Sequence, residues 1–135
     1  MRRPIGAGLV CAVLWGAAAA AQADAPVEIE LNKLQPGPQG CEAWLVIRNL
    51  GAQAHDSLRL DTVLFDRDGV IARRLAVEAG PVPAEKTMVN AFVVDGVACE
   101  AIGGALLNDV LACGGAGPCL DAVRVSARPP LTFTK

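Results

Sequence analysis

Two carboxylates two residues apart, Asp66 and Asp68 in "VLFDRDGVI", carry the strongest chemical suggestion in this 135-residue chain. An apolar strand running into Asp-x-Asp-Gly would suit a phosphatase that forms an aspartyl-phosphate, with Mg²⁺ held by the acidic pair. Such a site needs a parallel, doubly wound sheet, a downstream Ser or Thr, a Lys, and further acidic residues. Only 69 residues follow Asp66, too few for the remaining βαβ units at about 30 residues each. Asp109 in "LLND" has no carboxylate beside it to share a metal. A calcium loop fails as well, because "VIARRL" offers no Glu at the twelfth position. A turn explains every letter instead. Asp66 accepts backbone N–H groups, Arg67 and Asp68 form the corner, and Gly69 takes the positive φ that closes a hairpin.

The remaining inventory is thin. His55 is the lone histidine, and its neighbours Asp56 and Ser57 cannot build a triad, whose members converge from separate elements. It reads as a solvent-exposed loop residue. Copper handling would need Met and His clusters, yet Met88 is the one methionine after Met1. Asn49, Asn108 and Asp109 are polar residues in or at the ends of apolar strands, where hydrogen bonding to a neighbouring loop is the ordinary role. Arg73 and Arg74 are adjacent on a strand, so they point to opposite faces and do not form a joint anion site. No catalytic residue, cofactor site or metal site can be named.

The elements that would have to position any site begin after a leader. "MRRPIGAGLVCAVLWGAAAAAQA" has a basic start, an apolar run from Ile5 to Ala21, and Ala21-Gln22-Ala23, which suits signal-peptidase cleavage before Asp24. Residues 1–23 are thus a cleavable signal peptide that takes Cys11 with it, and residues 24–135 a single domain without a membrane span. Arg2-Arg3 raises the twin-arginine export route, although Pro4 and Gly6 fit its consensus poorly. Losing Arg2, Arg3 and no acid moves the net charge from −2 to −4. With no basic run, three Phe, two Trp and no Tyr, nucleic acid is excluded as a partner.

Four cysteines remain, Cys41, Cys99, Cys113 and Cys119. In an oxidising compartment an even set implies two disulfides. "CGGAGPC" closes a short Gly-rich loop, which favours Cys113–Cys119 and leaves Cys41–Cys99, a long-range bond worth about 3–4 kcal/mol. No Cys-x-x-Cys pair supports a redox or zinc site.

Between these landmarks the chain alternates apolar and polar residues, with turns every eight to twelve positions. "VEIELNKL" places Val27, Ile29 and Leu31 on one face. "QPGPQG" reads as a loop, followed by the strands "CEAWLVIRN", "SLRLDTVLFD", "VIARRLAVEAG" and "TMVNAFVVDG". Gly103-Gly104 argues against a helix in "VACEAIGGALLNDVLAC", so a turn over Glu100–Gly104 and a strand over Ala105–Ala112 are expected. "LDAVRVSAR" is the last strand, with Val123 and Val125 inward, and "PPLTFTK" a tail along a sheet edge. About seven short strands point to an all-β fold, an immunoglobulin-like antiparallel β-sandwich.

The stretch from Trp44 through "RN", "LRLDTVLFDRDGVIARR" and "VPAEKT" resembles the bacterial FxLYD-type immunoglobulin-like domains. More broadly, "VEIELNKL" through "LLNDVLAC" is similar to small secreted bacterial proteins known as Tat-pathway signal-sequence domain proteins. These resemblances imply export and a sandwich, and supply no catalytic residues. The resulting expectation is a periplasmic or secreted, non-catalytic binding or accessory module with a protein partner in the cell envelope. The alternatives are a Mg²⁺-dependent phosphatase using Asp66 and Asp68, and a secreted enzyme inhibitor presenting the "CGGAGPC" loop.

Overall fold

The computed structural model describes residues 27–114 and 119–135. The expected leader and residues 115–118 of the "CGGAGPC" loop lie outside them. In chain order come β1 (Val27–Gly37), β2 (Gly40–Asn49), β3 (Arg59–Phe65), β4 (Ile71–Glu78), β5 (Thr87–Asp95), a 3₁₀ turn at Cys99–Ala101, β6 (Gly104–Ala112), β7 (Val123–Ala127) and β8 (Thr132–Thr134). They build a β-sandwich of two four-stranded sheets, β5-β2-β1-β7 and β4-β3-β6-β8. The non-sequential pairs β2–β5 and β3–β6, set beside the hairpins β1–β2 and β3–β4, give the strand order of an immunoglobulin-like sandwich.

Three expectations are corrected. First, the sheets are mixed rather than wholly antiparallel, because β1 runs parallel to β7 and β6 parallel to β8. Second, the described residues form eight strands. The tail expected along an edge pairs through Gly104↔Thr132 to Leu106↔Thr134 and buries Phe133, so it is a strand in its own right. Third, "QPGPQG" is mostly strand. Pairing continues through Pro36↔Cys41 and Gly37↔Gly40, leaving Pro38-Gln39 as the turn. Pro36 is tolerated because β7 pairs only with Val27–Leu31, so the far edge of β1 there has no ladder for a missing N–H to interrupt. Gly40 is demanded by this tight reversal. Its φ is +150°, and a Cβ would strike the Val94 carbonyl oxygen.

Alternation builds the core as the physics of a pleated strand requires. Val27, Ile29 and Leu31 of β1 meet Cys41, Ala43, Leu45 and Ile47 of β2, and across the sandwich Leu60, Leu64, Val77, Ala105, Leu107 and Phe133. Among the described residues, the cavity between the sheets that is lined by Leu31, Leu45, Leu60 and Phe133 holds only about 10 Å³, enough for about one water. A ligand cannot sit inside this sandwich, so any site must lie on an outer face or at a loop end. Cys41–Cys99 joins the first sheet to the turn entering the second, with Cα atoms 4.9 Å apart. Cys113–Cys119 closes its loop with Cα atoms 6.0 Å apart. Both pairs are those favoured by spacing.

Candidate functional site

The Asp-x-Asp stretch is a hairpin turn between β3 and β4. Asp66 Oδ1 accepts the N–H groups of Asp68 and Val70, each at 2.9 Å, while Asp66 N donates to the Val70 carbonyl and Gly69 N to that of Asp66. Gly69 has φ +79°. Arg67 Nε donates to the Glu100 carbonyl at 2.6 Å. Asp66 therefore stands at an antiparallel reversal, where its Oδ1 organises the turn backbone. Among the described residues no group of three His, Cys, Asp or Glu gathers in a metal-holding arrangement.

The other sequence candidates fall into structural places. His55 is half-buried rather than loose in solvent. Its backbone bridges to Val82 in both directions, and its Nδ1 donates to the Cys113 carbonyl at 3.0 Å. It fastens the crosslinked loop to the body. Asn49 is buried and binds the Gln53 and Pro83 carbonyls while accepting Gly51 N–H, the loop-tying role expected of it. Asp109 accepts its own neighbour's N–H, from Val110.

Arg73 and Arg74 do diverge: Arg73 reaches the Asp95 carbonyl, and Arg74 grips Asp61. Asp61 escaped the sequence reading. It is 6 % exposed on the outer side of β3. Arg74 holds it by a two-pronged bond, Nε to Oδ1 at 2.9 Å and Nη2 to Oδ2 at 2.7 Å, and Asn108 adds a third bond at 2.7 Å. The Arg74 guanidinium and then the Asn108 amide hold its carboxyl down at about 2. Asn108 is the extra residue of a bulge opposite Asp61–Thr62, which turns an otherwise alternating position toward the carboxylate. With both carboxylate oxygens occupied, this cluster braces three adjacent strands.

The outer face of the first sheet is different, because it is split in character. On its β1–β7 side charges interlock, with Glu28 between Arg48 and Arg124 in the cross-strand register. Glu30 accepts from Asn32 at 2.6 Å and from Arg128 at 3.2 Å. Asn32 first, and then Arg128, lower its pKa. On the β2–β5 side the outward residues are Trp44 opposite Ala91, Val46 opposite Val89, and Val93 opposite Glu42. Val89 is 58 % and Val93 41 % exposed. Here lies a cleft of about 270 Å³ lined by Asn32, Lys33, Gln35, Trp44, Val46 and Val89.

A bulge makes that cleft. Leu31 pairs with Leu45 but Lys33 with Trp44, so Asn32 is an extra residue in β1. One inserted residue reverses the parity of every later position in the strand. Lys33 and Gln35, which would otherwise join Val27, Ile29 and Leu31 on the inner face, turn out, and Leu34 packs against the core. The three polar walls therefore owe their places to a single irregularity. Opposite Trp44, Ala91 is too small to fill the space beside the indole. Trp44 Nε1 is buried and has no hydrogen-bond partner, a defect costing about 1–3 kcal/mol. Sequence parity could have flagged Trp44, since Cys41, Ala43, Leu45 and Ile47 face inward. The jump from Leu31 to Leu34 was the sign of the bulge. No protein-family model, curated protein or solved structure matches the chain.

Proposed function

We propose that the chain is an exported, non-catalytic binding module of the bacterial envelope, and that it binds through the β2–β5 half of its first sheet. One observation carries this reading. A sheet face otherwise covered by paired charges changes to Trp44, Val46 and Val89 at an open cleft, with the exposed Val93 further along β5 on the same face. Apolar surface gathered in one place and rimmed by polar groups is the usual mark of a binding surface. The filled core, the fully engaged Asp61 and the turn-organising role of Asp66 Oδ1 support looking there rather than at the acidic residues.

Export is supported by the two disulfides, which persist in oxidising compartments, together with the basic-then-apolar stretch ending in Ala21-Gln22-Ala23. Among the described residues, no helix is long and apolar enough to cross a membrane. The similarity to FxLYD-type and Tat-signal proteins belongs to the same proposal.

The test is co-purification of the tagged protein from envelope extract, wild type beside Val89→Lys and Val93→Lys variants. These add charge to exposed positions without touching the core. A retained component that both variants lose is the expected result. Retention unchanged by both would place the contact elsewhere. Phosphatase turnover with Mg²⁺ that Asp66→Asn abolishes would replace this reading with the enzymatic one.

A further inference from the structure

Resting on that reading of the binding face, we infer that the Trp44 cleft is a site for one ring of a neutral saccharide. Size is the first argument. At about 270 Å³ the cleft lies just below the range of about 300–1,000 Å³ typical of small-molecule pockets. That suits a single pyranose-sized group and not a nucleotide or an extended cofactor.

Charge is the second argument. Among the described residues no carboxylate lines the cleft itself, so a cation bound inside it has no direct ion-pair partner. Its one cation, Lys33, already donates to Gln35 Oε1 at 2.7 Å and has Glu30 and Glu42 on the same face. A single shared lysine is a poor anion clamp, since anion sites rely on several converging donors. The favoured occupant is therefore uncharged.

Hydrogen-bonding capacity is the third argument. Asn32 gives one N–H to Glu30, which leaves its second N–H as a donor and its Oδ1 as an acceptor. Gln35 spends its Oε1 on Lys33, which leaves its amide N–H₂ as donor. Lys33 keeps further N–H groups. The Trp44 indole N–H lacks any acceptor. Both donors and an acceptor thus line the bulged segment, beside the apolar Val46 and Val89. A sugar ring matches that pattern, because its hydroxyls both donate and accept while its C–H face is apolar. Lys33 stands across from Trp44 in the strand register, and a ring hydroxyl reaching the indole would give its N–H the acceptor it lacks.

The experiment titrates the full chain carrying Trp15→Phe, which makes Trp44 its only tryptophan, and reads indole emission and the indole N–H resonance. The probes are cellotriose, maltotriose and tri-N-acetylchitotriose. An anionic trigalacturonate and a blocked Val-Thr-Val peptide are the comparisons. A saturable shift with at least one neutral sugar is expected, at a Kd of about 1 mM for one ring's worth of contact. It should weaken about tenfold or more in Trp44→Ala, which has no indole and is therefore followed by backbone amide shifts, and several-fold in Asn32→Ala and in Gln35→Ala, with unchanged thermal unfolding as the folding control. The Asn32 and Gln35 variants keep the test decisive if Trp44→Ala unfolds. No saturation by any neutral sugar, tighter binding of the trigalacturonate or the peptide, or binding indifferent to all three substitutions would overturn the inference. If sugars fail while Val89→Lys and Val93→Lys still release an envelope component, the ligand class falls and the binding face stands. If both fail, both readings fall.

Discussion

Replacing Cys41 and Cys99 together with alanine removes the crosslink that spans the sandwich, and its cost can be set against that of the shorter crosslink. The two cysteines are 58 residues apart, against 6 for Cys113 and Cys119. Confining a loop of the larger size removes about 4 kcal/mol of unfolded-chain freedom, and one of the smaller size about 2 kcal/mol. Against a whole-domain stability of about 5–15 kcal/mol, the first loss is severe, lowering the melting temperature by about 15–20 °C.

Guanidinium titrations of the wild type, C41A/C99A and C113A/C119A, all under oxidising conditions, measure both costs directly. The long-range double variant should also show a larger m value, because its unfolded chain expands and exposes more surface. The short-loop variant should leave m nearly unchanged. Equal costs for the two variants, or a C41A/C99A protein as stable as wild type, would refute the reasoning that confinement of the unfolded chain is what this bond supplies.

Three further outcomes are expected. The folded value of Asp61, about 2, lies below the ordinary 3.8. Its contribution to stability is therefore complete above about pH 4 and is lost as the pH falls through about 2. The Asp61 carboxyl resonance should titrate near that value, and its midpoint should rise in Arg74→Met and, less, in Asn108→Leu. Gly40→Ala should destabilise by about 2–4 kcal/mol in denaturant titrations, since neither the backbone angle nor the Val94 carbonyl leaves room for a methyl group. Asp66→Ala should cost about 1 kcal/mol by removing an acceptor from two N–H groups, whereas Asp66→Asn, which keeps an acceptor oxygen, should cost less; equal losses would show that the turn does not depend on that oxygen.

Local rules make much of the fold legible. Alternation in "VEIEL", "CEAWLVIRN" and "VRVSA" marks the inward faces, and Asp66–Gly69 declares its own turn. The glycines at 103 and 104 mark the start of β6. What escapes is non-local. Nothing within residues 123–127 states that they will lie parallel to residues 27–31, and nothing in "LTFT" states that Phe133 will cap the core. Pro36 reads by propensity alone as a loop former, although its freedom to stay in a strand depends on the absence of a neighbour. The cleft is hidden for a related reason. Residues counted along a perfect strand place Lys33 and Gln35 inside, and only the inserted Asn32 turns them out. Asp61 looks like one polar letter in an apolar run because its partners, Arg74 and Asn108, arrive from two other strands.

The parallel partnership of β1 with β7 has a temporal consequence. Strands drawn from nearly opposite ends of the described chain must find each other, so the first sheet cannot finish until the last segments are available. Such distant pairing slows folding relative to locally wired domains. A nascent chain that halts before Val123 leaves β1 and β6 as unpaired edges of their sheets. Incomplete molecules of this kind are the ones a cell would see clumping or being degraded, while in finished copies β1 and β6 are paired by β7 and β8.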